Sequence, residues 1–232
     1  MPISCASVIA TLKSKRNPRN VEGMARFGIN PKNTLGVSIP TLRLMARQIG
    51  KNHSLALELW ATGIHEARLM AGFIDDADLV TEKQMESWAA DFDSWDVCDQ
   101  VCSSLFDKTP FAYAKAVEWS ARDEEFVKRA GFVLMAALAV HDKKAADGKF
   151  LKFLPIIRRE ACDGRNFVKK AVNWALRQIG KSRNRRLNRA AIAAAGEIAA
   201  MDCRAAKWIA ADALRELSSP SVQKRLRSIL AD

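Results

Sequence analysis

Tyrosine occurs once in this 232-residue chain, glycine 11 times and proline 7 times, while Ala, Leu, Lys, Arg and Glu fill long stretches. That balance favours helices over strands and places the chain in the all-α class. No apolar run approaches the roughly 20 residues needed to cross a bilayer. The first residues, MPISCASVIATLKSKRN, carry their basic groups after the apolar stretch, the reverse of a secretory signal. A cytoplasmic protein with no membrane partner is expected. Cysteine is scarce and odd in number: Cys5, Cys98, Cys102, Cys162 and Cys203 form no C-x-x-C pair, and His53, His65 and His141 do not stand in zinc-finger order. Reduced, mostly buried thiols and no metal are expected. The length suffices for one sizeable core or an extended array without disulfides.

Acidic charge is short in one half only. Residues 1–116 carry 13 Lys+Arg and 13 Asp+Glu, whereas residues 117–232 carry 24 and 13, the whole formal +11 of the chain. Within 149–189 alone, 13 basic residues face only Glu160 and Asp163. Such a block favours a polyanion, because each neutralised phosphate releases counterions. The plainer alternative is a solvated face that keeps the protein soluble.

Helical periodicity recurs at 8–15, 21–27, 40–49, 54–62, 66–80, 82–91, 95–106, 110–120, 124–141, 148–161, 166–180, 185–201, 205–217 and 221–230. Cap or first-turn signals stand at Ser94, Thr109-Pro110, Asp123 and Ser219-Pro220. Some fourteen helices exceed a four-helix bundle. FVKRA at 126–130 returns as FVKKA at 167–171, an offset of 41 residues, and RAAKWIAADAL at 204–214 repeats the idea loosely. A period near 40 with two helices per unit is that of HEAT and armadillo arrays. The expected fold is a curved solenoid of antiparallel helix pairs, a single domain over 1–232 with the helices of 1–50 as a cap. Basic residues of successive repeats are expected to line its concave side.

On a helix over 95–106, Val97, Cys98, Val101 and Leu105 cluster on one side, and Trp95 and Asp99 share a polar flank roughly 90° or more away. On pattern alone the plainer reading comes first: a first-turn packing Trp and a solvated or capping Asp. On 166–180, Phe167, Val168, Ala171, Val172, Ala175, Leu176 and Ile179 form the buried stripe. Trp174 stands at its edge beside Lys170 and Arg177, a cation-flanked stacking platform or a boundary residue shielding the core. Arg129 stands at the edge of the equivalent helix with Lys128 beyond it. Trp60, Trp88, Trp119 and Trp208 are read as core or inter-repeat packing. A carboxylate in a basic groove opposes phosphate binding but stabilises positive charge developing on a sugar as an N-glycosidic bond breaks. An N-alkylated purine is already cationic and departs without a general acid.

Together Ser94-Trp95-Asp96-x-x-Asp99, Lys128-Arg129-Ala130, Lys169-Lys170-Ala171-x-x-Trp174-x-x-Arg177 and the Gly36-x-x-x-Pro40-x-Leu42-Arg43 element resemble the bacterial AlkD family of DNA glycosylases, from about Gly28 to Leu217. The resemblance implies a HEAT-like repeat fold and a monomeric, metal-free and cofactor-free enzyme of the bacterial cytosol or nucleoid. Its substrate would be double-stranded DNA, from which it excises cationic N3- and N7-alkylated purines of the 3-methyladenine and 7-methylguanine class, leaving an abasic site. Asp99 would be the catalytic carboxylate, and Trp95, Trp174 and Arg129 the lesion contacts. Arg43, Lys128, Lys169, Lys170 and Arg177 would hold the DNA backbone. Family members often carry a second Trp where this chain has Ser94. Two other readings are a catalytically silent HEAT-like DNA-binding protein and a protein-protein scaffold.

Overall fold

In the computed structural model, which describes residues 3–228, fifteen α-helices and one 3-10 turn account for the regular structure, with no strand among the described residues. The helices are α1 (Cys5–Ser14), α2 (Pro18–Arg26), α3 (Ile39–Ile49), α4 (His53–Ala61), α5 (His65–Ile74), α6 (Glu82–Ala90), α7 (Trp95–Ser104), α8 (Ala112–Ser120), α9 (Glu125–His141), α10 (Asp147–Leu151), α11 (Phe153–Arg159), α12 (Asn166–Ser182), α13 (Arg185–Ala199), α14 (Arg204–Leu217) and α15 (Pro220–Ser228). The all-α expectation holds. Residues 229 and 230 of the last expected helix lie outside the described residues.

Where boundaries differ from the periodicity, local chemistry explains it. The apolar pattern of 148–161 runs through Pro155, which has no N–H to offer the carbonyl of Leu151 and whose ring crowds it. The chain therefore breaks at Lys152, and Pro155 falls in the first turn of α11. α5 stops at Ile74 because Asp75 turns extended and buries its carboxylate, which binds the side chains of His53 and Gln84, each at 2.6 Å. Thr109-Pro110 does not open α8, which begins at Ala112.

Contacts divide the chain into two compact units, residues 1–109 and 110–232. In the first, α5 is the hub, packing against α3, α4 and α7. Trp60 of α4 stacks on Trp88 of α6 with ring centroids 4.0 Å apart. In the second, the helices form two layers. α9, α12 and α14 pack in succession, as do α8, α11 and α13. α8 rests on α9 and α13 on both α12 and α14. The approach of α8 to α9 needs Gly131, where a Cβ would stand 2.5 Å from the backbone nitrogen of Ser120. This pairing at the 41-residue offset is what the FVKRA/FVKKA repeat anticipated. Trp60, Trp88 and Trp119 are buried, as read; Trp208 is not, at 41% exposed.

The cysteine expectation fails at one pair. Cys162 and Cys203 are joined by a disulfide, their Cα atoms 5.8 Å apart, while Cys5, Cys98 and Cys102 remain thiols. The two partners are 41 residues apart, one repeat, so repeat geometry brings together what local spacing keeps separate.

Candidate functional site

The N-terminal end of α7 is fixed from three sides. Val97, Cys98, Val101 and Cys102 are buried, as the helical count requires. Asp96 points inward and meets Nε2 of His65, the first residue of α5, at 2.8 Å. Burial alone would push the His65 pKa down, but the hydrogen bond and negative charge of Asp96 outweigh it and raise it above the ordinary histidine value. Ser94 occupies the N-cap position without capping the helix. Its hydroxyl, fully buried, accepts instead from the backbone N–H of Asn30 at 3.3 Å.

That bond is one of several tying the segment after α2 to α7. The Asn30 side-chain amide donates to Asp93 at 2.8 Å, and the Trp95 indole N–H donates to the Phe27 carbonyl at 3.0 Å. Phe27 ends α2. Gly28, at φ 77°, and Ile29 donate back to Ala25 and Met24, the paired bonds of a Schellman motif. Carbonyls of a last helical turn lack intrahelical donors, and Trp95 satisfies this one. The Phe27 ring stays in solvent, 76% exposed, while Trp95 and Asp99 are half-buried. Asp99 follows Trp95 by one turn on the same flank, and its backbone carbonyl accepts from the Ser103 hydroxyl at 2.6 Å.

Arg43 reaches the same helix. The segment before α3 is held by Glu66, whose buried carboxylate accepts from the backbone N–H groups of Leu35 at 2.8 Å, Gly36 at 2.6 Å and Val37 at 3.2 Å. Gly36 is required there: at φ 82°, a Cβ would stand 2.2 Å from the Asn17 carbonyl oxygen. Ser38 then caps α3, which projects Arg43 to the side-chain oxygen of Gln100 at 3.0 Å, over the Phe73 ring. Residues 1–109 thus bring Phe27, Arg43, Trp95 and Asp99 to α7 and its borders. Sequence reading missed Phe27. Its only signal was an aromatic beside a helix-ending glycine, and its proximity to Trp95 is purely tertiary.

In the second unit the buried stripe of α12 is as expected except for Phe167, which is half-buried with its ring 5.4 Å from that of Phe126. Arg129, buried on α9, donates to the Phe167 carbonyl at 2.6 Å, so its guanidinium lies against the first turn of α12. Trp174 is half-buried one turn beyond the exposed Lys170. Lys169 places its ammonium 4.9 Å from the ring centroid of Trp208.

Two of the expected backbone contacts are committed elsewhere. Lys128 is buried, its ammonium 2.9 Å from Glu160 and 3.6 Å from Asp163. Both carboxyls lie below the usual range, because Arg159 and Lys128 on Glu160, and Arg165 and Lys128 on Asp163, outweigh the opposing effect of burial. Arg177 is 2.6 Å from Asp212 and 2.7 Å from Glu216. The Asp212 carboxyl is held down by hydrogen bonds from Asn173 and Arg177, which outweigh burial. The cause is the repeat itself: cations on α9 and on α12 each meet acids supplied by the repeat that follows. Among the described residues no group of His, Cys, Asp and Glu has metal-binding geometry, and no helix is long and apolar enough to cross a membrane.

A search of curated proteins finds no match. A solved structure described as "A new family of proteins related to the HEAT-like repeat DNA glycosylases with affinity for branched DNA structures" aligns with a TM-score of 0.77 at 22% identity, covering 93% of this chain and 96% of that one. The likeness shows that the fold is a HEAT-like helical repeat. The family model for "DNA alkylation repair enzyme" matches residues 8–217, and the chain belongs to that family.

Proposed function

We propose that the protein is a monofunctional DNA glycosylase that hydrolyses the N-glycosidic bond of cationic alkylated purines, of the 3-methyladenine and 7-methylguanine class, in double-stranded DNA. The observation that carries this reading is the flank of α7: a half-buried carboxylate, Asp99, one turn from an indole pinned in place by its own hydrogen bond to Phe27. A site used only to grip phosphates gains nothing from a carboxylate. One that breaks a glycosidic bond gains electrostatic stabilisation where the sugar becomes an oxocarbenium ion.

In the proposed reaction the C1′–N bond breaks with its electron pair leaving on the purine, which its alkyl group has already made cationic. No general acid is needed. Asp99 stabilises the positive sugar and orients a water, whose oxygen bonds to C1′ as its proton passes to the carboxylate or solvent. Trp95 and Phe27 offer aromatic faces to the cationic nucleotide and its deoxyribose. Ser94, buried on Asn30, has no part in that contact. The solvent-exposed Phe27, whose backbone carbonyl holds the Trp95 indole, is the further aromatic side chain available to that contact. Trp174 and Arg129 of the second unit are proposed to contact the DNA, with Lys169 and Lys170, and Arg43 of the first unit, on backbone phosphates. Lys128 and Arg177 are assigned no phosphate.

The alternative is a silent DNA-binding protein, favoured by the description of the structural relative as having affinity for branched DNA. Incubation with duplex DNA carrying 7-methylguanine or 3-methyladenine, with released base quantified by chromatography, separates the two. Release from either lesion supports the enzyme. Binding of duplex or branched DNA with no release from either leaves the silent reading.

A further inference from the structure

Trp208 is the most exposed of the six tryptophans, at 41%. It stands one step off the buried stripe of α14, formed by Ala205, Ala206, Ile209, Ala210, Ala213 and Leu217. In register with the repeat, Trp208 falls 41 residues after Phe167, which falls 41 after Phe126. The two phenylalanines pack on each other, whereas the third aromatic of the series faces solvent.

Its surroundings are cationic. The Lys169 ammonium sits over the ring, Lys170 is exposed next to it in sequence, and Arg204 is exposed one turn before Trp208 on α14. The acids of α14 and its approach that flank Trp208 in sequence are engaged: Asp212 by Arg177, Arg215 and Asn173, and Asp202 by Lys207 at 3.0 Å. Among the described residues, Lys169, Lys170 and Arg204 form no salt bridge. The geometry is also held in advance. Cys203 is the N-cap of α14 and Cys162 lies four residues before α12, so the disulfide ties together the two helix starts that carry Trp208 and Lys169.

We propose that Trp208 and Arg204 extend the DNA contact of Lys169 and Lys170 into a site that stacks an unpaired nucleobase on the indole and neutralises the phosphates on either side of it. An indole face accepts any base, but only one released from its neighbours in a duplex, and cations spaced along the strand supply the affinity that stacking alone lacks. The ligand is therefore single-stranded deoxynucleotide continuous with a duplex. This rests on DNA as the partner, and not on base release.

The test is fluorescence anisotropy with a lesion-free blunt duplex and the same duplex bearing a short single-stranded tail, using full-length wild type, Trp208→Ala and Trp208→Phe. Wild type is expected to bind the tailed duplex about ten-fold more tightly than the blunt one. Trp208→Ala is expected to lose most of that preference while blunt-duplex binding changes less than two-fold, and Trp208→Phe to keep most of it. Equal binding of blunt and tailed duplex by wild type overturns the proposal and leaves the glycosylase reading standing, as does a tail preference unchanged in Trp208→Ala. Failure to bind either DNA also overturns the proposal, while the glycosylase reading is decided by base release from lesion-bearing duplex. Thermal melts of the variants show whether any loss reflects folding.

Discussion

Residues 1–109 carry 12 Lys+Arg and 13 Asp+Glu, while residues 110–232 carry 25 and 13. The two units also spend their polar groups differently. In the first, buried carboxylates position backbone: Glu66 gathers three N–H groups of the segment before α3, and Asp96 holds α7 to His65. In the second, acids meet cations across successive helices, as in Lys128–Glu160, Arg177–Asp212 and Lys181–Glu216. The contrast teaches that basicity in sequence is not basicity on offer. Part of the cationic block is internal glue, and the remainder, Lys169, Lys170 and Arg204 among it, is what a polyanion can reach.

The largest expected effects are on stability and lie in the second unit. Replacing Cys162 and Cys203 by Ser removes a cross-link spanning 41 residues and should lower stability by about 2–4 kcal/mol. Denaturant unfolding measures the loss, and hydrogen exchange should place it at the starts of α12 and α14. Lys128→Met should cost about 3 kcal/mol, because it strips a buried ammonium from Glu160 and Asp163, which keep Arg159 and Arg165. It should leave the salt dependence of DNA binding unchanged; a shallower slope would mean that this ammonium does reach phosphate.

Lys169→Gln with Lys170→Gln should do the opposite. The melting temperature stays within error of wild type, while the slope of log K against log salt falls by about 1.8, roughly 0.9 for each phosphate no longer neutralised. The smallest effect belongs to the first unit. Because the folded pKa of His65 is raised, its contribution is fully present below about pH 6.5 and is lost as pH rises through the folded value. Melts of wild type should therefore fall modestly between pH 6 and 8 relative to His65→Gln, which lacks that dependence.

What the sequence made legible was periodic. The stripes of α7 and α12, the edge position of Trp174 and the 41-residue repeat followed from spacing, because helix burial repeats with the turn and HEAT pairs repeat with the unit. Everything set by partners distant in sequence was not. Nothing near Phe27 announces Trp95, 68 residues on, and Ser94 reads as a cap until Asn30 takes its hydroxyl. Lys128 and Arg177 match a phosphate-binding pattern until the neighbouring repeat supplies acids. Trp208 reads as packing because aromatics at that repeat position do pack in the two repeats before it.

The proposed division of labour, chemistry in the first unit and grip in the second, turns on Asp99. Single-turnover base release from duplex DNA containing 7-methylguanine, measured for wild type and Asp99→Asn together with duplex affinity, tests it most directly. Release should fall about 100-fold or more in Asp99→Asn while affinity for undamaged duplex holds or rises, since a charge opposed to phosphate has been removed. Undiminished release by Asp99→Asn would contradict the account.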